Sequence, residues 1–399
     1  MGGKPRRYWS ADRPAHAAQS GPQASGTAWP IMHDNPAPVV ATGLAQGPRA
    51  TTDLIEAAVQ QALDQMPGRR ATSVLLFLSA DFAADPQPAL RAAARKAACL
   101  QIAGCSASGI FTEREWIIDA PAAAALVLAA PLALTLPQPH QPDVPSLCLA
   151  APNAVNTNWL HAAGKRYGGV AGDITGRGQY KVWDGGKPCL PGKTELQLAG
   201  MECHLLINHG LQQLSPVMQI DSTAELDIHR IGNQPATDTL DTALANAGAT
   251  GPTEIRLCVL CGEDAGDDAD FYPLPLITSN TASRAVTVAQ RLQPGQRVFW
   301  ARRSTESTQQ QLAGQLARHR AAHGQPAFGL VFSCVSRGAH FFAGQDRDWE
   351  LLRHNFPSLP LLGLYGNGQF APLADGNRLL DGSLVVALFH GAKHVQPIA

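Results

Sequence analysis

With 399 residues, 45% of them apolar and 16% charged, the chain is long enough to bury two or three cores of ordinary size. Its 31 Lys and Arg nearly balance 32 Asp and Glu, which excludes recruitment of nucleic acid or of an anionic membrane by bulk charge. Eight cysteines are too few for a disulfide scaffold at this length, and most lie in apolar runs, so a reducing, cytoplasmic setting is expected.

Residues 1–38 are rich in Ala, Pro, Gly and Ser without an apolar period, cannot bury enough surface to offset the entropy of ordering, and are expected to be a disordered extension. No apolar stretch follows Arg6-Arg7, which argues against a Sec or twin-arginine leader, and Met32 is a second candidate start. A first ordered domain is expected over 39–250. It opens with an amphipathic helix over 52–65 in which Leu54, Ile55, Ala58, Val59 and Ala62 share a face. The apolar run Thr72–Ser79 reads as a buried strand, the Ala-rich stretch Pro88–Cys99 as a crossover helix, and Gln101–Gly104 as the parallel neighbour. Ala125–Ala129 is a further strand. The Ala-rich stretch 121–137 around it is broken by Pro131 and falls short of the roughly 20 apolar residues of a spanning helix. Strands are then expected at Ser146–Ala150, at Met201–Asn208 and within 216–231, with a hairpin at Asp184-Gly185 and a helix over Ala236–Ala247. The second domain, 251–399, supplies strands at Ile255–Leu260, Arg297–Ala301, Phe328–Ser333 and Ser383–Phe389 and helices over Thr305–His319 and Asp348–Asn355.

Two glycine-rich segments recur in like surroundings, Gly104-Cys-Ser-Ala-Ser-Gly109 and Gly363-Leu-Tyr-Gly-Asn-Gly368. Each follows a strand, a helix and a strand and precedes another strand, and a weaker third copy runs through Tyr167-Gly-Gly-Val-Ala-Gly-Asp173. This order implies an α/β (α+β) chain of two related halves made by internal duplication, with helices flanking mixed β-sheets. Because a strand follows each glycine segment, the segments are expected to be hairpin turns. Glycine also lets backbone approach a bound molecule and leaves N–H groups free for its oxygens, so the same segments are candidate ligand contacts.

The order of these blocks resembles the FIST domain. Gly104–Gly109 and Gly168-Gly-Val-Ala-Gly-Asp173 look like its N-terminal part, and Phe332-Ser-Cys-Val-Ser-Arg-Gly338 with Gly363–Gly368 like its C-terminal part, over about residues 40–390. The resemblance implies a sensory module of signalling proteins that binds a small ligand such as an amino acid, without catalysis, and passes its state to a separate signalling output protein. Some members are described as haem-containing nitric oxide sensors, so a haem-based sensor is the alternative of the same family; otherwise no cofactor is expected. Family members often carry glutamate directly after each glycine segment, where this chain has Ile110 and Gln369.

The ligand is expected in a cleft between the two halves, contacted by Gly104, Cys105 and Ser106, by Gly169 and Asp173, and by Cys334, Arg337, Gly338, Tyr365, Gly366, Asn367 and Gly368. Arg337 would fork onto an anionic group, or else pair with Asp346 or Asp348 of its own domain, and Tyr365 would form a wall. Cys105 and Cys334 are either site residues or small buried fillers. A cysteine-dependent hydrolase or acyl transferase would need His340 or His390 as base, but Gly104-Cys-Ser-Ala-Ser lacks the G-x-S-x-G elbow. Haem would need an axial histidine such as His161, His209 or His340. No metal site is expected. Cys258 and Cys261 have no second pair, His319 and His323 lack the glutamate of H-E-x-x-H, and Asp264, Asp267, Asp268 and Asp270 do not fit a calcium loop.

Overall fold

After β1 (Val40–Gln46), helix α1 (Thr52–Asp64) buries Ile55, Ala58, Val59 and Ala62, the face its apolar spacing defines. β2 (Ala71–Ser79), α2 (Gln87–Ala97) and β3 (Ile102–Ala107) follow as strand, crossover and parallel strand. β4 (Gly109–Thr112) and β5 (Trp116–Ile118) leave this sheet, and β6 (Ala122–Ala129) returns to lie between β1 and β2. β6 is buried throughout and mostly alanine because α1 packs directly on it. The computed structural model describes residues 38–138, 141–173, 175–198, 200–247, 255–262 and 270–391; residues 1–37 of the expected extension, and Asp264, Asp267 and Asp268, lie outside them.

Next come β7 (Leu134–Thr135), β8 (Ser146–Ala150), α3 (Thr157–Leu160) and β9 (Arg166–Val170). The hairpin β10 (Val182–Asp184) and β11 (Lys187–Pro188) precedes β12 (Lys193–Leu198), β13 (Met201–Asn208) and β14 (Leu211–Gln213). A barrel is inserted after β13 and β14. It is made by β15 (Met218–Ala224), β16 (Asp227–Ile231), the short β17 (Gln234–Pro235), α4 (Ala236–Ala247), β18 (Ile255–Leu260), β19 (Phe271–Asn280), β20 (Ala285–Val288) and β21 (Arg297–Arg303). The order β21-β15-β16-β20-β19-β18 closes because β18 also pairs β21, every pairing being antiparallel. Closure removes the exposed sheet edges that an open six-strand meander would leave. Ile220, Leu257, Val286 and Trp300 belong to its core, α4 adds Leu240 and Ala243, and the Trp300 indole N–H donates to Thr239 Oγ1 at 3.0 Å.

The chain ends with α5 (Thr305–His323), β22 (Phe328–Cys334), α6 (Gly338–Phe341), α7 (Arg347–Asn355), β23 (Leu361–Gly366), β24 (Gly368–Leu373), β25 (Gly376–Leu380) and β26 (Leu384–Gly391). Three sheets outside the barrel share one pattern: β1-β6-β2-β3-β10-β11, β13-β26-β22-β23-β4-β5 and β7-β12-β8-β9-β24-β25. In each, only the third and fourth strands are parallel.

The fifth strand of every sheet arrives from another unit. β4 follows β3 but pairs β23, β24 follows β23 but pairs β9, and β10 follows β9 but pairs β3. The glycine segments are therefore crossings between sheets and not the expected hairpin turns. The reason is length: only Ser108 separates β3 from β4, and only Asn367 separates β23 from β24, too little chain to turn back on itself. The α+β class with mixed sheets and flanking helices is as the sequence implies. Strands from both sides of 250/251 combine in two of these three sheets, the division at 250/251 falls inside the barrel, and residues Ala37–Ala399 form one compact unit.

Candidate functional site

The three crossings meet. Ser108 N–H donates to the Tyr365 carbonyl at 3.0 Å, Asn367 N–H to the Val170 carbonyl at 3.1 Å, and Gly172 N–H to the Ser106 carbonyl at 3.2 Å, a closed cycle in which each segment holds the next. The cycle makes Gly104, Gly168 and Gly363 equivalent, and each lies opposite an aromatic residue of the incoming strand, Trp183, Phe370 and Phe111 respectively. A Cβ at Gly363 would stand 2.1 Å from the Phe111 ring, and one at Gly104 2.7 Å from the Trp183 indole nitrogen. Gly363 thus admits a large ring, whereas a Cβ at Gly104 or Gly168 would first meet a neighbouring strand's carbonyl, Leu76 at 1.8 Å and Cys148 at 1.9 Å.

Ser106 is fully buried and its Oγ accepts the Lys181 N–H at 3.0 Å. Cys105 belongs to the central core, and burial pushes its thiol far up. A Cβ at Gly169 would lie 3.0 Å from Phe332, one at Gly366 2.2 Å from the Val170 carbonyl, and one at Gly368 2.9 Å from Leu379. Ser108 and Asn367 converge over Gly172, where a Cβ would meet Ser108 Oγ at 2.8 Å and Asn367 Oδ1 at 3.0 Å. Beside them Asp173 accepts from Thr175 Oγ1 at 2.6 Å and from the Tyr180 hydroxyl at 3.2 Å. Burial alone would raise the Asp173 carboxyl, but the bonds from Thr175, Tyr180 and the Gly176 and Gly178 amides outweigh it and hold the group below its ordinary value.

Arg337 lies elsewhere and is fully engaged. It is 1% exposed; Nε donates to Asp348 Oδ2 at 2.5 Å, Nη2 to Asp348 Oδ1 at 3.1 Å, Nη1 to the Asn208 carbonyl at 2.6 Å and Nη2 to Asn208 Oδ1 at 2.6 Å. Of its two sequence readings, the pairing with Asp348 is the one the fold makes, because β13 and α7 supply the partners of the guanidinium from within the fold. Tyr365 likewise forms no cleft wall. Its ring is wholly buried against Gly338 and Phe111, and its hydroxyl donates to Asp346. Burial, with the Asp348 charge adding to it, raises Asp346 to about 6, while its other oxygen caps α7 by accepting Trp349 N–H at 3.0 Å. Cys334 sits 3.2 Å from Ser336 Oγ and 3.5 Å from Asp381, and burial, then the Asp381 charge, raises its thiol. Neither Cys105 nor Cys334 is thus prepared as a thiolate.

His209 contacts Ser383 Oγ through Nδ1 at 2.9 Å, and burial, then the Arg337 charge, depresses it to about 4. His340 is exposed, and His161 is exposed on the rim of a cleft that includes Asp143, Lys165 and Asn377. A separate cavity of about 460 Å³ lies between α5 and the barrel, lined by Asn208, His209, Phe271, Phe299, Gln311 and Gln315 among others.

The residue that the sequence undervalues is Gln369. It is wholly buried, and neither end of its amide has a hydrogen-bond partner among the described residues. The equivalent places, one residue before Phe111 and Trp183, hold Ile110 and Val182, both in the apolar core. Ser108 Oγ, at the cycle itself, is also buried without a partner. Buried polar atoms are rarely left so; Trp183 Nε1 and Ser333 Oγ are further cases among the described residues, but Gln369 is bare at both ends of its side-chain amide. The signal in the sequence is an amide alone among apolar residues directly after a glycine segment.

Residues 254–372 match the FIST C domain, from β18 through most of β24, and so include Gln369. Two uncharacterized proteins, from two strains of Mycobacterium tuberculosis, are each 22% identical to this chain over 393 residues, covering 88% of it and 99% of their own length. Among the described residues no helix is long and apolar enough to cross a membrane.

Proposed function

We propose that this chain, which carries a FIST C domain over residues 254–372, is a sensory protein that binds a small polar molecule beside Gln369 and the meeting glycine segments and passes its state to a separate signalling protein. The observation that carries this reading is the bare amide of Gln369. Leaving such a group buried and unpaired costs about 1–3 kcal/mol, and the equivalent strands hold Ile110 and Val182 in its place. A molecule that presents both a donor and an acceptor, as a small amide or carboxylic acid does, relieves that cost and is selected by it. Ser108 Oγ offers a second, reversible donor or acceptor. Where family members often carry glutamate, an amide exchanges preference for an ammonium group for preference for a neutral donor and acceptor pair. The buried, protonated thiols of Cys105 and Cys334 favour binding without catalysis.

The test is differential scanning fluorimetry of the full chain against amino acids, their amides and small carboxylates. A binder is expected to raise the melting temperature of the wild type and to leave Gln369→Leu and Ser108→Ala unmoved. An equal rise in Gln369→Leu would remove that residue from the site.

A further inference from the structure

Away from the glycine segments, four histidines from three elements form one cluster. His319 and His323, one turn apart at the end of α5, meet His204 of β13 and His390 of β26. His319 Nε2 and His390 Nε2 are 3.0 Å apart, the His204 and His323 ring centres are 3.8 Å apart, and the other pairs lie between 4.9 and 6.0 Å. Two imidazole nitrogens at 3.0 Å share one proton, so at least one of those rings is neutral in the closed arrangement. His319 is 5% and His390 8% exposed, while His323 is exposed.

Among the described residues the groups against the cluster come from β13 and from α7 and the residue after it. From β13 comes Glu202, whose carboxylate lies 3.0 Å from His204 Nε2 and which pairs in register with His390 of β26. From α7 come the ring of Phe356, 6.2 Å from that of His319, and the Asn355 carbonyl, which takes Arg320 of α5 at 3.0 Å. The charges that act on His319 are those of the other three histidines. Among the described residues no group of three or more His, Cys, Asp or Glu is arranged to hold a metal ion.

The same helix walls the cavity of about 460 Å³. Gln311 and Gln315 of α5 line it while donating to the Leu211 and Ile207 carbonyls at 2.8 and 2.9 Å. We propose that the four histidines are a proton-operated clasp: neutral, they fasten the last turns of α5 to β13 and β26, and protonated, they repel one another and release the helix, opening the cavity it walls. The favourable interaction of a cation with a helix C-terminus works against release, so it offsets part of the repulsion.

The sign follows from His319, which burial, and then His390, His323 and His204, depress from 6.5 to about 4. The closed state binds fewer protons than the open one, so its stability is fully present above about pH 6.5 and is lost as pH falls toward 4. A shift of this size raises the opening constant roughly 30-fold between about pH 7.5 and pH 5.

Hydrogen exchange of the full chain at pH 7.5 and pH 5, expressed as protection factors, tests the proposal. Protection over 312–323 is expected to fall roughly 30-fold at the lower pH while β22 keeps its protection. His319→Gln should abolish the step, and His390→Gln and His323→Gln, the latter at an exposed position that folding tolerates, should reduce it. Protection that does not change with pH, or a full step in every variant, would overturn the clasp. So would stoichiometric uptake of added zinc at pH 7.5 that the variants lose, since the cluster would then be an ion site.

Discussion

Arg337 and Gln369 are both wholly buried and polar, one carried at the exit of β22 and the other on β24 directly after a glycine segment, and they differ in what surrounds them. The guanidinium is held by both oxygens of Asp348 and by the carbonyl and side chain of Asn208. The amide of Gln369 is held by nothing described. Residue type alone favours the arginine as a ligand anchor, because its fork suits carboxylates. Hydrogen-bonding capacity left over after folding favours the glutamine. A polar group whose every bond is made inside the fold maintains structure, whereas one left bare at a strand crossing is available to something else.

The largest way to break the comparison is to unbalance the satisfied member. Asp348→Ala leaves the Arg337 charge buried without its carboxylate and is expected to cost about 3–5 kcal/mol in urea unfolding. The double change Arg337→Met with Asp348→Leu should cost much less, because no charge is then stranded. A cost below about 1 kcal/mol for Asp348→Ala would mean that the guanidinium reaches water and is open to ligands after all.

A second effect comes from Asp346, which sits beside this network with its pKa raised from 3.8 to about 6. A raised folded value means that the folded state holds the proton more tightly, so this contribution is fully present below about pH 4 and is lost as pH rises through about 6. The loss amounts to at most about 3 kcal/mol. Asp346→Asn keeps an oxygen to accept from Trp349 N–H and turns its other end into a donor toward the Tyr365 oxygen, so it should flatten the dependence, leaving the variant more stable than wild type at pH 8. Chemical denaturation at pH 5 and pH 8 measures this, and parallel curves for the two proteins would dismiss Asp346 as the titrating group.

A third effect concerns the packing on which the crossings depend. Gly363→Ala places a methyl group against the Phe111 ring and is expected to cost about 1–3 kcal/mol. Phe111→Leu should recover part of that loss if the ring is the cause, which a double-mutant cycle of denaturation midpoints can show.

Much of the local structure is legible in the residues. The helix Ala236–Ala247 and the strands Met201–Asn208 and Ile255–Leu260 occupy the expected spans because period and flanking breakers agree there. The helix after Thr305 runs on to His323, one turn past its expected end, with Gly324 as the stop. Pairing is what the residues conceal. Nothing near Ser108 says that β4 will join β23, since strand propensity carries no address. β19 is hidden for a different reason: Pro273 and Pro275 argue against a strand, yet they pair with Cys258 and Arg256 on one side, while pairing with β20 begins only at Leu276. The third unit is faint because its crossover helix, α3, has only four residues. In the site, the glycine segments do meet and Arg337 does not join them, because Asn208, far away in the chain, closes over it.

The smallest expected effect has the opposite sign to the others and bears on the unsatisfied member alone. Gln369 lies in a strand whose counterparts place Ile110 and Val182 against the same core, so Gln369→Leu removes two unpaired polar atoms and adds apolar contact without a large change in volume. In protein stripped of small molecules by denaturation and refolding, this substitution should raise stability by about 1–2 kcal/mol, a few degrees in melting temperature. In protein purified natively the gain should shrink or reverse, because a bound molecule stabilises the wild type by mass action and cannot do so in the variant. Arg337 offers no such contrast, since its bonds are internal and the same before and after refolding. If Gln369→Leu proves destabilising in stripped protein, the amide has a partner within the fold, and the distinction between the two buried groups disappears.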